Sequence, residues 1–207
     1  MKFDAIVIGS GQAGKPLSYA LADLGWKVAF IERAQLGGSC INTGCTPTKT
    51  MVASAQVAHY ARNAARWGVH SNDVSVELPA VVARKNKVVQ GFRDAIQRRI
   101  DAKQNITLVR AHGRFTGPHQ VEAGGQTFES EKIFIDTGTR PQVPKIPGID
   151  SVPFLTNASV QLLARTGGAS LDVEPTMSEI LWFAVPVSAI GILAGWALYR
   201  LRDRSIP

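Results

Sequence analysis

The sequence predicts an α/β fold built on a parallel sheet. Three observations predict it. Phe3 to Ile8 and Val28 to Ile31 are short, apolar, β-branched runs of the kind buried on both faces of such a sheet. The stretch between them suits one crossover helix running to about Leu24 and closed by Gly25. From Ile106 to Ile135 the chain breaks into short strand-like runs separated by Gly-Pro and Gly-Gly turns.

The first strand ends in Gly9-Ser-Gly11-Gln-Ala-Gly14, and the second ends at Glu32. Strand, GxGxxG, helix, strand and carboxylate together form a Rossmann-like dinucleotide fingerprint. Gly9 makes the tight turn, Gly11 lets the backbone approach a pyrophosphate, and Gly14 permits close packing of helix on strand. Glu32 is placed to accept hydrogen bonds from the adenosine ribose hydroxyls. On these grounds the dinucleotide is either NAD or FAD.

Next comes Gly37-Gly-Ser-Cys40-Ile-Asn-Thr-Gly-Cys45-Thr-Pro-Thr-Lys49-Thr, which holds the only two cysteines of the chain. Thr46 and Pro47 suit the first turn of a helix. A thiolate there is stabilised by free N–H groups and the positive end of the helix dipole, so Cys45 is the expected low-pKa thiol. Cys40, on the preceding loop, is the expected exposed partner. Two unrelated buried thiols would not be expected to fall so close in a Gly-flanked loop. A zinc site would need two further ligands, and no histidine lies near in sequence, so no metal is expected.

This stretch resembles the active-site signature of the class I pyridine nucleotide-disulfide oxidoreductases, the family of dihydrolipoamide dehydrogenase, glutathione reductase and mercuric reductase. The Thr-Pro-Thr-Lys-Thr ending is most similar to the mercuric-reductase-like branch. The resemblance implies FAD on the N-terminal fingerprint, with NAD(P)H as the electron donor and a thiol, disulfide or small molecule as substrate. It implies flavin contacts from Gly38, Ser39 and Lys49, the last near the reactive end of the isoalloxazine. In that scheme Cys45 makes the charge-transfer contact with flavin and Cys40 is the interchange thiol that attacks substrate.

A helix is expected from about Thr46 to Trp67, with alanines and valines on a packed face and Gly68 past its end. A second is expected from about Leu78 to Lys103, where Val81, Val82, Val88, Val89, Phe92, Ile96 and Ile100 recur at helical spacing. Its other face, with Arg84, Lys85, Lys87, Arg93, Arg98 and Arg99, reads as solvated. His59 and His70 lack nearby partners in sequence and read as surface residues. Ile106 to Phe115, His119 to Glu122, Gln126 to Glu129 and Lys132 to Ile135 read as strands, similar to the three-stranded antiparallel insertion and returning strand of the family's FAD domain. By the same resemblance Gly113 meets the adenine and Thr137-Gly138 forms the second flavin contact, where a small residue allows close approach. Asp136 stands where that motif usually has alanine.

The resemblance covers residues 1–163, read as an FAD-binding domain that is truncated relative to the family. No second GxGxxG follows, so a nicotinamide domain is expected to be absent, as is the interface domain with its His-Glu pair. A homodimer or other partner would then supply the missing parts. Residues 164–178 read as a polar, Gly-rich linker. Residues 180–199 form a run of 20 residues without a charge, about 30 Å as a helix and long enough to cross a bilayer. Residues 179–200 therefore read as a single transmembrane helix, with aromatics near both ends and a basic tail at 201–207. Gly191 and Gly195 add a weak GxxxG dimerisation signal. Met177 heads a segment resembling a small single-span protein, which suggests a fused or rearranged gene.

A net charge of +7 and pI near 9.7 come with no nucleic-acid motif and no aromatic stacking pattern, so solvated surface is expected rather than nucleic acid as a partner. Two cysteines suit catalytic redox use better than a structural framework. The N-terminal apolar run is too short for a signal-peptide core, which places the flavin domain in the cytoplasm.

Overall fold

The computed structural model describes residues 1–160. A four-stranded parallel sheet is formed by β1 (Ala5–Ile8), β2 (Val28–Ile31), β3 (Ile106–Val109) and β7 (Ile133–Ile135), in the order β3-β2-β1-β7. Helix α1 (Gly14–Asp23) crosses from β1 to β2. The short helix α2 (Gly38–Asn42), then α3 (Cys45–Arg62) and α4 (Leu78–Asp101), separate β2 from β3. Strands β4 (Arg114–Gly117), β5 (Gln120–Ala123) and β6 (Gln126–Glu129) form a separate antiparallel sheet before the chain returns as β7.

Side chains alternate across a strand, so the parallel sheet faces two cores. On one face Ala5, Val7, Val28 and Phe30 pack with Tyr19 and Leu21 of α1 and with Val89, Ile96 and Ile100 of α4. On the other, Ile6, Ile8, Ala29 and Ile31 pack with Val121, Ala123 and Phe128 of the antiparallel sheet. Every residue of β1 and β2 is buried, as expected of strands covered on both sides.

The register aligns the strand ends. Ile8 pairs with both Ile31 and Ile135, and Ile31 with Val109. The residues that follow these ends, Gly9, Glu32, Arg110 and Asp136, therefore come out along one edge. Chain order reverses on either side of β1, between β2 and β7, which is where open α/β sheets bind ligands.

Several expectations need correction. Ile106 to Phe115 is not one strand: it divides at residues 110–113 into β3 and β4, which belong to different sheets. The helix expected to reach Trp67 ends at Arg62, where Asn63 Nδ2 donates to His59 O at 2.8 Å and competes for that carbonyl. A 3₁₀ turn, Ala64–Trp67, follows and closes at Gly68 with φ +73°. The alanines and valines of α3 form only a half-buried face: Ala55, Ala58 and Ala61 are half-buried, only Pro47 and Thr50 are buried, and Val52, Val57 and Tyr60 are exposed. Nor is the basic face of α4 simply solvated. Lys85 is buried, Arg84 donates to Thr50 O and Ser54 Oγ of α3, and the Arg99 guanidinium lies 4.3 Å from the Tyr19 ring centroid.

The expected linker, transmembrane helix and basic tail lie outside the described residues. Among the described residues no helix is long and apolar enough to cross a membrane.

Candidate dinucleotide and dithiol site

Gly9 turns the chain out of β1 with φ +104°, a conformation that favours glycine. A Cβ there would lie 2.1 Å from Asp136 O, and one on Gly14 would lie 2.1 Å from Gly9 O. The fingerprint thus packs backbone on backbone, as expected for Gly9 and Gly14. At Gly11 the close neighbours are Asp136 Oδ2, 2.6 Å from where a Cβ would stand, and Gly38, whose own Cβ would lie 2.7 Å from Gly11 Cα. Two glycines thereby bring the fingerprint and the start of α2 into contact.

Ser10, fully buried, ties this turn to its surroundings. Its N–H and Oγ donate to Glu32 Oε2 at 2.9 and 2.7 Å, and its Oγ accepts the Gly37 N–H at 3.0 Å. Glu32 Oε1 accepts the Ala34 N–H at 2.8 Å. Glu32, expected to meet ribose hydroxyls, thus first fastens the fingerprint to the end of β2. Three of a carboxylate's roughly four acceptor positions are used, which leaves room for one ribose hydroxyl.

Gly37 and Gly38, at φ +100° and +62°, start α2 immediately. Cys40 therefore sits in a short helix rather than a loop. The helix is held by Asn42, whose Nδ2 donates to Leu36 O at 3.1 Å and Gly38 O at 2.8 Å, while its Oδ1 accepts Arg93 Nε at 2.6 Å. Cys45 opens α3, an 18-residue helix with no side-chain cap, beside its unsatisfied N–H groups. Exposure is opposite to expectation: Cys40 is half-buried and Cys45 exposed, both as free thiols. The Cys45 thiol is within hydrogen-bond reach of Cys40. Burial pushes the Cys40 thiol above its ordinary value, helped by that hydrogen bond and the Cys45 charge, and opposed by a backbone hydrogen bond at Cys45 and by Lys15.

Ser39 and Lys49 are exposed on these two helices. Gly113 lies against Ile8, Ile31 and Val121, where a Cβ would make ordinary contacts at 3.4–3.5 Å. Thr137 follows Asp136 next to Gly9, and Gly138, at φ +67°, opens onto free space. His59 and His70 are exposed. His119 Nδ1 does approach Glu131 Oε2 at 3.5 Å, but both side chains are exposed beside the small sheet, away from the thiols' elements. A polar cleft lined by Phe3, Asp4, Trp26, Glu131 and Lys132 opens at the opposite, amino-terminal end of the strands. Among the described residues no group of His, Cys, Asp and Glu could hold a metal ion.

Sequence reasoning missed Ser10, Asn42 and the reach of Asp136. Ser10 stands between two glycines of the fingerprint and Asn42 between the two cysteines, where the glycine and cysteine spacing says nothing of them. Asp136 did carry one, as an acid in place of the usual alanine.

The glycine cradle, the carboxylate at the end of β2 and the switch point fit a dinucleotide, with the Asp136 carboxylate the anionic group inside the cradle. Fold and site together define a dinucleotide-binding domain that carries a dithiol at the carboxyl edge of its sheet. The chain belongs to the pyridine nucleotide-disulphide oxidoreductase family, whose profile matches residues 3–173. It is 33% identical over 163 residues to a mercuric reductase of Bacillus cereus, covering 79% of this chain and 26% of that one. It is 34% identical over 182 residues to a dihydrolipoyl dehydrogenase of Chlamydia muridarum, covering 86% and 38%. The solved Cu(II) complex of the HOCl-induced flavoprotein disulfide reductase RclA from Escherichia coli superposes with a TM-score of 0.65 at 33% identity, covering 78% of this chain and 34% of that one. The chain thus spans well under half the length of these relatives. They are enzymes, and the family's cofactor is FAD, with NAD(P)H as its electron donor.

Proposed function

We propose that this chain is the flavin- and dithiol-bearing portion of an FAD-dependent disulfide oxidoreductase. Electrons would pass from NAD(P)H through FAD to the Cys40–Cys45 pair and on to a thiol, disulfide or other small-molecule substrate. The observation that carries the reading is the meeting of two thiols across the α2–α3 turn, with α2 seated on the fingerprint through Gly38 and Gly11.

The backbone of residues 9–14 would hold the pyrophosphate, Glu32 and Gly113 the adenosine, and Gly38, Ser39, Lys49, Thr137 and Gly138 the flavin half. Bound FAD supplies two-electron transfer between a hydride donor and the thiols. This chain's part is to open and close one S–S bond, which takes up two electrons and two protons and yields the Cys40 and Cys45 thiols. Cys45 is exposed and is the first residue of α3. Lys15 offsets part of the penalty on a Cys40 thiolate.

The 207 residues contain one GxGxxG, which favours a second reading. In it the chain binds flavin without turning over, attached to a single membrane through residues 180–199 with its flavin domain in the cytoplasm. A nicotinamide site would then come from a homodimeric or other partner. The test is an absorption spectrum of purified, FAD-loaded protein before and after dithiothreitol, followed by NADH and NADPH. A long-wavelength band on reduction that Cys45→Ser removes and Cys40→Ser keeps supports the dithiol–flavin relay. A band that survives Cys45→Ser refutes these roles. Reduction by dithiothreitol but by neither nucleotide favours the second reading.

A further inference from the structure

The Asp136 carboxylate fills the hollow at Gly11 and shares the one at Gly14 with the Gly9 carbonyl. Its Oδ2 accepts the Gly14 N–H at 2.8 Å, and it lies 2.6 Å from where a Cβ on Gly11 would stand and 3.1 Å from one on Gly14. The backbone keeps it there, because the Asp136 N–H donates to Ile8 O at 2.7 Å and Ile135 pairs with Ile8. Helix α1 has no side-chain cap of its own and no acid in its first turn. Asp136, from the other end of the domain, is therefore the anion at its positive end.

A glycine-rich turn at a helix start binds phosphate because its N–H groups point outward and the dipole favours negative charge. In this chain the first such N–H already serves a tethered anion. Resting on the FAD reading above, we propose that Asp136 sets the flavin affinity of this protein: its carboxylate stands at the pyrophosphate seat and competes with FAD for it. A tethered competitor acts at a high effective concentration. A carboxylate that moves aside only slightly remains a like charge within a few ångströms of the pyrophosphate. Both effects weaken binding relative to a chain with a neutral residue at this position.

The experiment is FAD titration, by flavin fluorescence and calorimetry, of the wild-type chain and of Asp136→Asn, Asp136→Ala and Asp136→Glu. Asparagine keeps an oxygen to accept the Gly14 N–H, so the turn is retained while the charge is lost. Alanine removes both charge and acceptor, and glutamate retains the charge. Circular dichroism and the thermal midpoint establish that each variant is folded. Asn and Ala are expected to bind FAD about tenfold tighter or more, with Glu staying near wild type. Equal or weaker binding by Asn and Ala, with wild type still taking up FAD, overturns the proposal and leaves the flavin reading intact. Folded wild type and variants that all refuse FAD overturn both.

Discussion

The glycines of the site differ in what they tolerate. At Gly14 an added methyl meets the Gly9 carbonyl at 2.1 Å, and backbone cannot swing aside as a flexible side chain does. Gly14→Ala is therefore expected to cost about 2 kcal/mol or more. Gly113→Ala, whose methyl meets only side chains at 3.4–3.5 Å, should stay within about 1 kcal/mol of wild type. Urea midpoints of the two variants test the contrast, and equal losses would contradict it. Cys40 carries a prediction of another kind. Its raised pKa means that the folded state favours the protonated thiol, so its thiolate forms at higher pH than that of an ordinary cysteine. Its stability contribution is complete below the unfolded-state thiol value and is lost as pH rises from there through the folded one. Pulsed alkylation with peptide mapping should find Cys40 reacting more slowly than a free-cysteine peptide near pH 8, with the lag closing at higher pH. No lag at pH 8 would contradict the environment described for it.

The α2–α3 turn is an element in which the short helix α2 is fixed by Asn42 as well as by Ile41, which reaches the core. Asn42 holds three carbonyls at its own helix entry, those of Gln35, Leu36 and Gly38, and one arginine of α4. Asn42→Ala leaves these groups without that partner and is expected to cost about 2–3 kcal/mol. It should also slow closure of the Cys40–Cys45 disulfide, since Cys40 loses its fixed place opposite Cys45. Denaturant unfolding and air-oxidation rates measure the two effects, and an unchanged oxidation rate would show that α2 is positioned by something else. The cysteines, the glycines and the start of α3 were all legible in the sequence because each is a residue type that a specific backbone or chemistry demands. The exposures of the two thiols were not. They depend on how α2 seats against the fingerprint, which follows from the Gly11–Gly38 contact and from no local pattern. The docking arginine on α4 was likewise hidden, since helical spacing separates apolar from polar faces but does not distinguish a solvated charge from one that grips a neighbour.

At the scale of the molecule, the parallel core was legible because strands buried on both sides are almost uniformly apolar, and the β1–α1–β2 unit has the spacing of a single crossover. The division of residues 106–115 between two sheets was not, since the break at residues 110–113 turns the chain without a Gly-Pro signal. For the 207-residue chain loaded with FAD, steady-state oxidation of NADH or NADPH should fall well below the ~10 per second typical of enzymes. Hydride transfer needs the nicotinamide held at about 3–3.5 Å, and this sequence has one dinucleotide fingerprint. Turnover at tens per second would refute this. The placement of β7 has a consequence in time as well as in space. β1 leaves the ribosome well before β7, yet Ile6 pairs with Ile133, and the turn at Gly9 packs on the carbonyl of Asp136. At ordinary synthesis rates about 10 s pass between the making of the two strands. Throughout that interval the glycine-rich turn has one wall missing. Nascent chains arrested before residue 133 should therefore hold no flavin, whereas chains arrested well beyond residue 138 should retain it, so that cofactor capture marks the closing of the sheet.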